Sequence, residues 1–292
     1  MKLLRVGPPG AERPVVLGQD GTAYDLSGRA RDIDGAFLAG LDPAALARDV
    51  AAGLLPVLNT AGWGDLPAEG WGRIGAPVAR PGKVVGIGLN YRDHAAEAGA
   101  AIPDEPVIFL KPSNTVVGPY DEVLVPRGGE KTDYEAELAI VIGRTGRYLA
   151  DHRAAAEVIA GYTIANDVTE RAFQFERGGQ WDKGKSAETF TPLGPWLVTA
   201  DEVADPQGLP LRLWVNGELR QNGSTGQMIF PVLEIVRYVS QFMVLEPGDV
   251  IVTGTPAGVT LGHPGTPFLT PGDIVEIEID GLGRQRQVLG KA

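Results

Sequence analysis

Apolar residues in this chain come in short runs set between clusters of Gly, Pro, Asn and Asp, which is the spacing of strands and turns rather than of long helices. The pattern predicts strands at 84–89 (VVGIGL), 107–110 (VIFL), 137–143 (ELAIVIG), 161–166 (GYTIAN), 212–215 (RLWV), 250–254 (VIVTG) and 274–279 (IVEIEI). Asn216 and Gly217, directly after RLWV, predict a two-residue hairpin turn. One amphipathic helix stands out from residue 231 (PVLEIVRYVSQFM), with Val232, Ile235, Val236, Val239 and Phe242 at helical spacing as core positions. Strands outnumber helices and do not alternate with them regularly. The expectation is an α+β, mainly β fold with a largely antiparallel arrangement, not a doubly wound sheet.

Residues 1–75 predict a small N-terminal α+β module: strands in LLRVG and PVVLG, and a helix in DPAALARDVAAGLL, capped by Asp42 with Pro43 at its first position. The stretch 59–83, rich in Gly and Pro and without a period, is expected to hold the boundary, leaving 80–292 as the larger domain. Composition narrows the class. Hydrophobic residues make up 43% and charged residues 22%, no apolar run is long enough to span a bilayer, and the first residues carry no secretory signal pattern. The expectation is a soluble cytoplasmic protein. With 37 acidic against 26 basic side chains, the net charge of -11 repels a phosphate backbone, which argues against nucleic acid as a partner. The absence of cysteine excludes disulfides, thiolate metal sites and a Cys nucleophile, so any metal must be held by oxygen or by the three histidines.

Several segments carry candidate chemistry. From Gly179 the chain spells G-x-x-x-x-G-K-S, a phosphate-loop pattern, but no strand leads into it and Pro192 and Pro195 follow soon after. VVGIGLNY has only G-x-G, with Tyr91 where a dinucleotide fingerprint needs its third glycine. Glu135 and Glu137 sit two apart at the start of a strand, so its period points both carboxylates to one face, and Asp167 follows the neighbouring apolar strand. Such charges are also what a solvated strand edge carries. As a cluster, three carboxylates without sulfur or imidazole suit a hard ion such as Mg²⁺ or Mn²⁺. His94 and Glu97 lie three apart, one turn if helical, the pairing in which a carboxylate orients an imidazole as a general base; a surface helix pair has the same spacing. His152, behind the capping Asp151, and His263, in the loop GHPGTP, are assigned no role.

Six segments, GLNYRDHAAEAG, PVIFLKPSNTVVGP, DYEAELAIVIGR, GYTIANDVTERAFQ, QWDKGKSAETFTPLGPWLVT and GDVIVTGTPAGV, occur in the order and approximate spacing of the fumarylacetoacetate hydrolase superfamily, which the chain resembles from about Lys83 to its end. The resemblance implies a mixed β-sandwich or rolled-barrel catalytic domain, usually a homodimer, holding Mg²⁺ or Mn²⁺ on Glu135, Glu137 and Asp167. It implies His94 and Glu97 as the catalytic dyad, on a segment that forms a lid in relatives, and Lys185 as the active-site lysine. Lys111, Arg171, Gln174 and Thr255 match positions that line the substrate pocket. Ala172 departs from the family, where an Asp often follows the arginine, and no fourth metal carboxylate is placed.

The chemistry this resemblance implies is cleavage of the C3–C4 bond of a 2,4-diketo acid, an acylpyruvate or a 2,4-diketo-3-deoxy sugar acid, giving pyruvate and a second acid. The same enolate chemistry serves oxaloacetate decarboxylases and 2-hydroxyhepta-2,4-diene-1,7-dioate isomerases, and a catalytically silent oxo-acid-binding protein is the reading from another class.

Overall fold

A computed structural model describes residues 1–58, 72–263 and 265–292. Of the expected boundary stretch, residues 59–71 lie outside the described residues.

The chain is mainly β. A large sheet runs in the order Ala23–Asp25, Arg13–Leu17, Lys2–Val6, Thr191–Thr199, Ile159–Asn166, Ala136–Ile142, Val250–Val252, Val84–Gly88, Val107–Lys111. A second sheet orders Glu218–Ser224, Pro210–Val215, Ile274–Ile279, Gly283–Lys291, Val123–Val125. Most pairings are antiparallel; Val250–Val252 runs parallel to Val84–Gly88, and Gly283–Lys291 parallel to Val123–Val125. No helix among the described residues is long and apolar enough to cross a membrane.

Burial of both faces explains why ELAIVIG reads as one unbroken apolar run. Leu138, Ile140 and Ile142 enter a core shared with Leu211, Leu213, Ile277 and Ile279 of the second sheet, while Ala139 and Val141 enter another with Leu3, Val16, Leu193 and Leu197. The hairpin after Trp214-Val215 forms as expected, with φ of +52° at Asn216 and +80° at Gly217, the signs that a type I′ turn requires.

The helix Val232–Val239 buries Val232, Ile235, Val236 and Val239 against the first core. Phe242 corrects the sequence reading: the helix stops at Val239, and the ring packs on Tyr238 with centroids 4.9 Å apart, leaving Phe242 63% exposed. Asp42 caps its helix as expected, accepting from the Ala45 amide at 3.0 Å with Pro43 at the first position. The leading strand Lys2–Val6 pairs with Thr191–Thr199 as well as with Arg13–Leu17, so the leading segment extends the main sheet.

Candidate active site

Strand pairing assembles the carboxylates. Glu137 stands opposite Ala165 and Ala136 opposite Asn166, and the Asp167 amide donates to the Glu135 carbonyl at 3.0 Å, which brings the end of Ile159–Asn166 beside the start of Ala136–Ile142. One carboxylate oxygen from each of Glu135, Glu137 and Asp167 then lies within 4.8 Å of the others, and all three residues are buried. They are not a solvated edge.

Buried anions demand partners. Lys185 Nζ lies 2.7 Å from Glu135 Oε2 and 2.6 Å from Asp167 Oδ2. Lys111 Nζ donates to Asp167 Oδ1 from behind and to the Phe190 carbonyl at 2.8 Å. Arg171 Nη2 lies 2.7 Å from Glu135 Oε1, and its Nε donates to Asp133 at 2.9 Å. Four buried carboxylates, Asp133, Glu135, Glu137 and Asp167, thus face three buried cations, Lys111, Arg171 and Lys185. The deficit falls on Glu137, whose carboxylate accepts one amide bond, from Gly254 at 2.7 Å. Burial first, then the charges of Asp167 and Glu135, push its carboxyl well above the ordinary range. Burial would raise Glu135 too, but Lys185 and Arg171 outweigh it and hold that carboxyl at about 2. An all-oxygen, buried donor set with surplus negative charge fits a hard divalent cation.

The dyad comes from the short helix Arg92–Glu97. His94 Nδ1 and Glu97 Oε2 are 3.2 Å apart, the geometry in which the carboxylate accepts a hydrogen bond from Nδ1–H and the Nε2 lone pair is the one left to take a proton. Glu97 Oε1 accepts from the Gly258 amide at 2.9 Å and lies 2.7 Å from His263 Nε2. The Gly258 amide comes from the loop after Val250–Val252, which touches two other carboxylates of the site: the Gly254 amide donates to Glu137, and the Thr260 and Leu261 amides donate to Asp133 at 3.0 and 3.1 Å.

Lys185 ends the single turn Asp182–Lys185. A Cβ at Gly184 would lie 2.7 Å from the Glu170 carbonyl and 2.6 Å from Gln174 Cβ, so glycine lets this turn press on the helix Arg171–Phe175 and drive Lys185 inward. No strand precedes it and no helix starts at Ser186, so the phosphate-loop spelling lacks the elements that bind phosphate.

His94, Glu97, Glu135, Glu137, Arg171, Gln174, Lys185 and Thr255 line one cavity of about 520 Å³. Asp167 sits beside the lining carboxylates Glu135 and Glu137, held between Lys111 and Lys185. Lys111, expected on the wall, instead stands behind the triad because its strand carries Phe109 to the cavity and the next residue on that face under Asp167. Gln174 Oε1 accepts from Arg171 at 3.1 Å, and Thr255 Oγ1 donates to the Ala136 carbonyl at 2.9 Å. Sequence reasoning missed two residues. Asp133 supplies the carboxylate that orients Arg171 where Ala172 has none; its signal was the period of two continued one step back from Glu135. His263 gave no local signal.

The family model described as fumarylacetoacetate (FAA) hydrolase C-terminal matches residues 83–289. A provisionally named hydrolase of Burkholderia multivorans is 49% identical over 289 residues, covering 99% of this chain and 98% of its own length. Among solved structures, the fumarylacetoacetate hydrolase of psychrophilic Exiguobacterium antarcticum superposes with a TM-score of 0.84 at 36% identity, covering 100% of both chains. A probable 2-hydroxyhepta-2,4-diene-1,7-dioate isomerase of Mycobacterium abscessus gives 0.81 at 32%, covering 100% of this chain and 99% of that one. The maleylpyruvate hydrolase of Sphingobium sp. SYK-6, solved with manganese(II) and pyruvate, gives 0.79 at 28% with 100% of both covered.

Proposed function

Since the chain belongs to the fumarylacetoacetate hydrolase family, we propose that it is a metal-dependent hydrolase cleaving the C3–C4 bond of a 2,4-diketo acid, an acylpyruvate or a 2,4-diketo-3-deoxy sugar acid, to pyruvate and a second acid. The observation that carries this reading is the opposition, across one cavity, of a His94–Glu97 base pair and a buried acidic triad neutralised by Lys185.

Glu135, Glu137 and Asp167 are the residues that would hold the ion. A divalent cation there, Mg²⁺ by this reading with Mn²⁺ as the ion of the maleylpyruvate hydrolase structure, would supply positive charge that attracts an oxo acid and stabilises developing negative charge on it. His94 Nε2 takes a proton from water, with Glu97 balancing the imidazolium through Nδ1. The hydroxide adds to C4, the C3–C4 bond breaks, and its electron pair moves onto the 2-oxo group as a pyruvate enolate. The ammonium of Lys185 faces that developing negative charge, and the proton held on His94 is delivered to C3. One water is consumed, and the atoms appear as pyruvate and the acid of the acyl group. By family resemblance the working unit is a homodimer in the cytoplasm.

The test mixes purified protein, Mg²⁺ or Mn²⁺ and an acylpyruvate and follows the diketo-enol absorbance. Metal-dependent loss supports the hydrolase; no loss at any metal concentration removes it. The likeness to a probable dioate isomerase supports a second reading, isomerisation, which product analysis separates by the absence of pyruvate.

A further inference from the structure

Away from the carboxylates, the cavity wall is aromatic and aliphatic. A row of rings leads outward from the reacting end: Lys185 Nζ lies 5.0 Å from the Phe109 ring centroid, Phe109 meets Trp181 edge-on at 6.1 Å, and Trp181 meets Phe175 at 6.2 Å. Phe175, 46% exposed, marks the mouth. Two glycines on one face of Val84–Gly88 seat these rings. A Cβ at Gly86 would lie 2.1 Å from the Phe109 ring, and one at Gly88 would lie 2.4 Å from Trp181. The G-x-G of VVGIG is therefore the bed of an aromatic wall.

Leu89 extends the apolar lining with φ of +51°, a region that strains a leucine and suits a glycine. A bulky apolar side chain is kept where the backbone favours none. Leu261 adds to the lining at the rim.

The polar side chains of the cavity are all at the other end. Among the described residues, its cationic groups are Arg171, Lys185 and, when protonated, His94, and each already faces a carboxylate. Gln174 accepts from Arg171 through Oε1, keeping its amide nitrogen as a neutral donor, and Thr255 is bonded to the Ala136 carbonyl. A distal carboxylate laid along the rings finds no free cation, and a row of hydroxyls finds one neutral donor, the Gln174 amide nitrogen; each polar group buried unpaired this way costs roughly tenfold or more in affinity.

We propose that the acyl group of the substrate is an alkyl or aryl chain without acid or hydroxyl groups, so that the site takes hydrophobic acylpyruvates rather than diketo sugar acids or dioic acids. This rests on the reading of the site as one for 2-oxo acids. With the metal-loaded protein, kcat/KM rises along acetyl-, butanoyl- and hexanoylpyruvate by about fourfold per methylene buried on the wall. Fumarylpyruvate and a 2,4-diketo-3-deoxy sugar acid fall at least tenfold below an alkyl acylpyruvate of equal length. A flat or reversed order overturns the inference.

Binding separates this from the hydrolase reading. In the presence of Mn²⁺, calorimetry finds 2-oxohexanoate bound more tightly than 2-oxoadipate, whether or not any acylpyruvate is cleaved; lost turnover with that preference intact counts against the hydrolase alone. Equal affinity, binding of neither, or preference for the diacid overturns the apolar wall. Leu261→Arg, at a position 44% exposed and so tolerant of substitution, tightens 2-oxoadipate about tenfold; no change removes the wall from the substrate's path.

Discussion

His263 stands behind the proposed base, its Nε2 2.7 Å from Oε1 of Glu97, the carboxylate whose other oxygen faces His94 Nδ1 at 3.2 Å. Glu97 therefore lies between two imidazoles, one in the cavity and one 53% exposed at its rim. The outer contact fixes the carboxylate, not the reaction, and solvent weakens it. His263→Ala is expected to lower kcat about three- to tenfold with little change in KM, and His263→Gln, which restores a donor, to recover part of the loss. Equal kcat in wild type and the Ala variant refutes the positioning role.

His94→Ala removes the proposed base and leaves the triad intact. Turnover should fall by about two to four orders of magnitude while Mn²⁺ and pyruvate still bind, as calorimetry can read. Normal turnover in this variant removes the dyad assignment.

Lys185 bonds two of the three triad carboxylates, so its loss should separate charge from chemistry. Lys185→Met is expected to slow turnover on the order of a hundredfold, while divalent affinity holds or rises because a competing cation is gone. Circular dichroism checks that the variant folds; weaker metal binding in a folded variant contradicts the argument.

Stability of the metal-free protein should depend on pH in two opposite senses. Glu137 has a raised carboxyl, so an unfolded chain releases that proton near the ordinary 4.5 while the folded one retains it, and stability falls as pH climbs above that value. Glu135, lowered to about 2, contributes stability that is present above 4.5 and lost as pH drops toward 2. With chelator present, Tm of wild type should decline as pH climbs above 4.5, Mg²⁺ or Mn²⁺ should reverse the decline, and Glu137→Gln should flatten it. A Tm that rises as pH climbs above 4.5 under chelator contradicts the Glu137 assignment.

Most strands were legible because each is a short apolar run closed by turn residues, and Ile274–Ile279 falls on IVEIEI residue for residue. Phe242 misled because helical spacing says nothing about where a helix stops. The pairing of Lys2–Val6 with Thr191–Thr199 joins distant segments, and nothing local encodes it. In the site, period-two spacing placed Glu135 and Glu137 on one face, since a strand fixes that geometry by itself. Lys111 shares its strand's cavity-facing side with Phe109, and only the third dimension shows which of the two meets open space. His263 became visible through a loop closure that no periodicity foretells.

That loop, from Gly254 to His263, gives backbone amides to Glu137, Glu97 and Asp133 at once. An insertion or deletion there moves Glu137, Glu97 and Asp133 together. Chain-length changes in this segment are therefore poor raw material for new specificities. None of these amide bonds runs to the opposite wall, where Phe175 and Trp181 meet edge-on, so a change of length in the loop leaves that wall's own packing untouched.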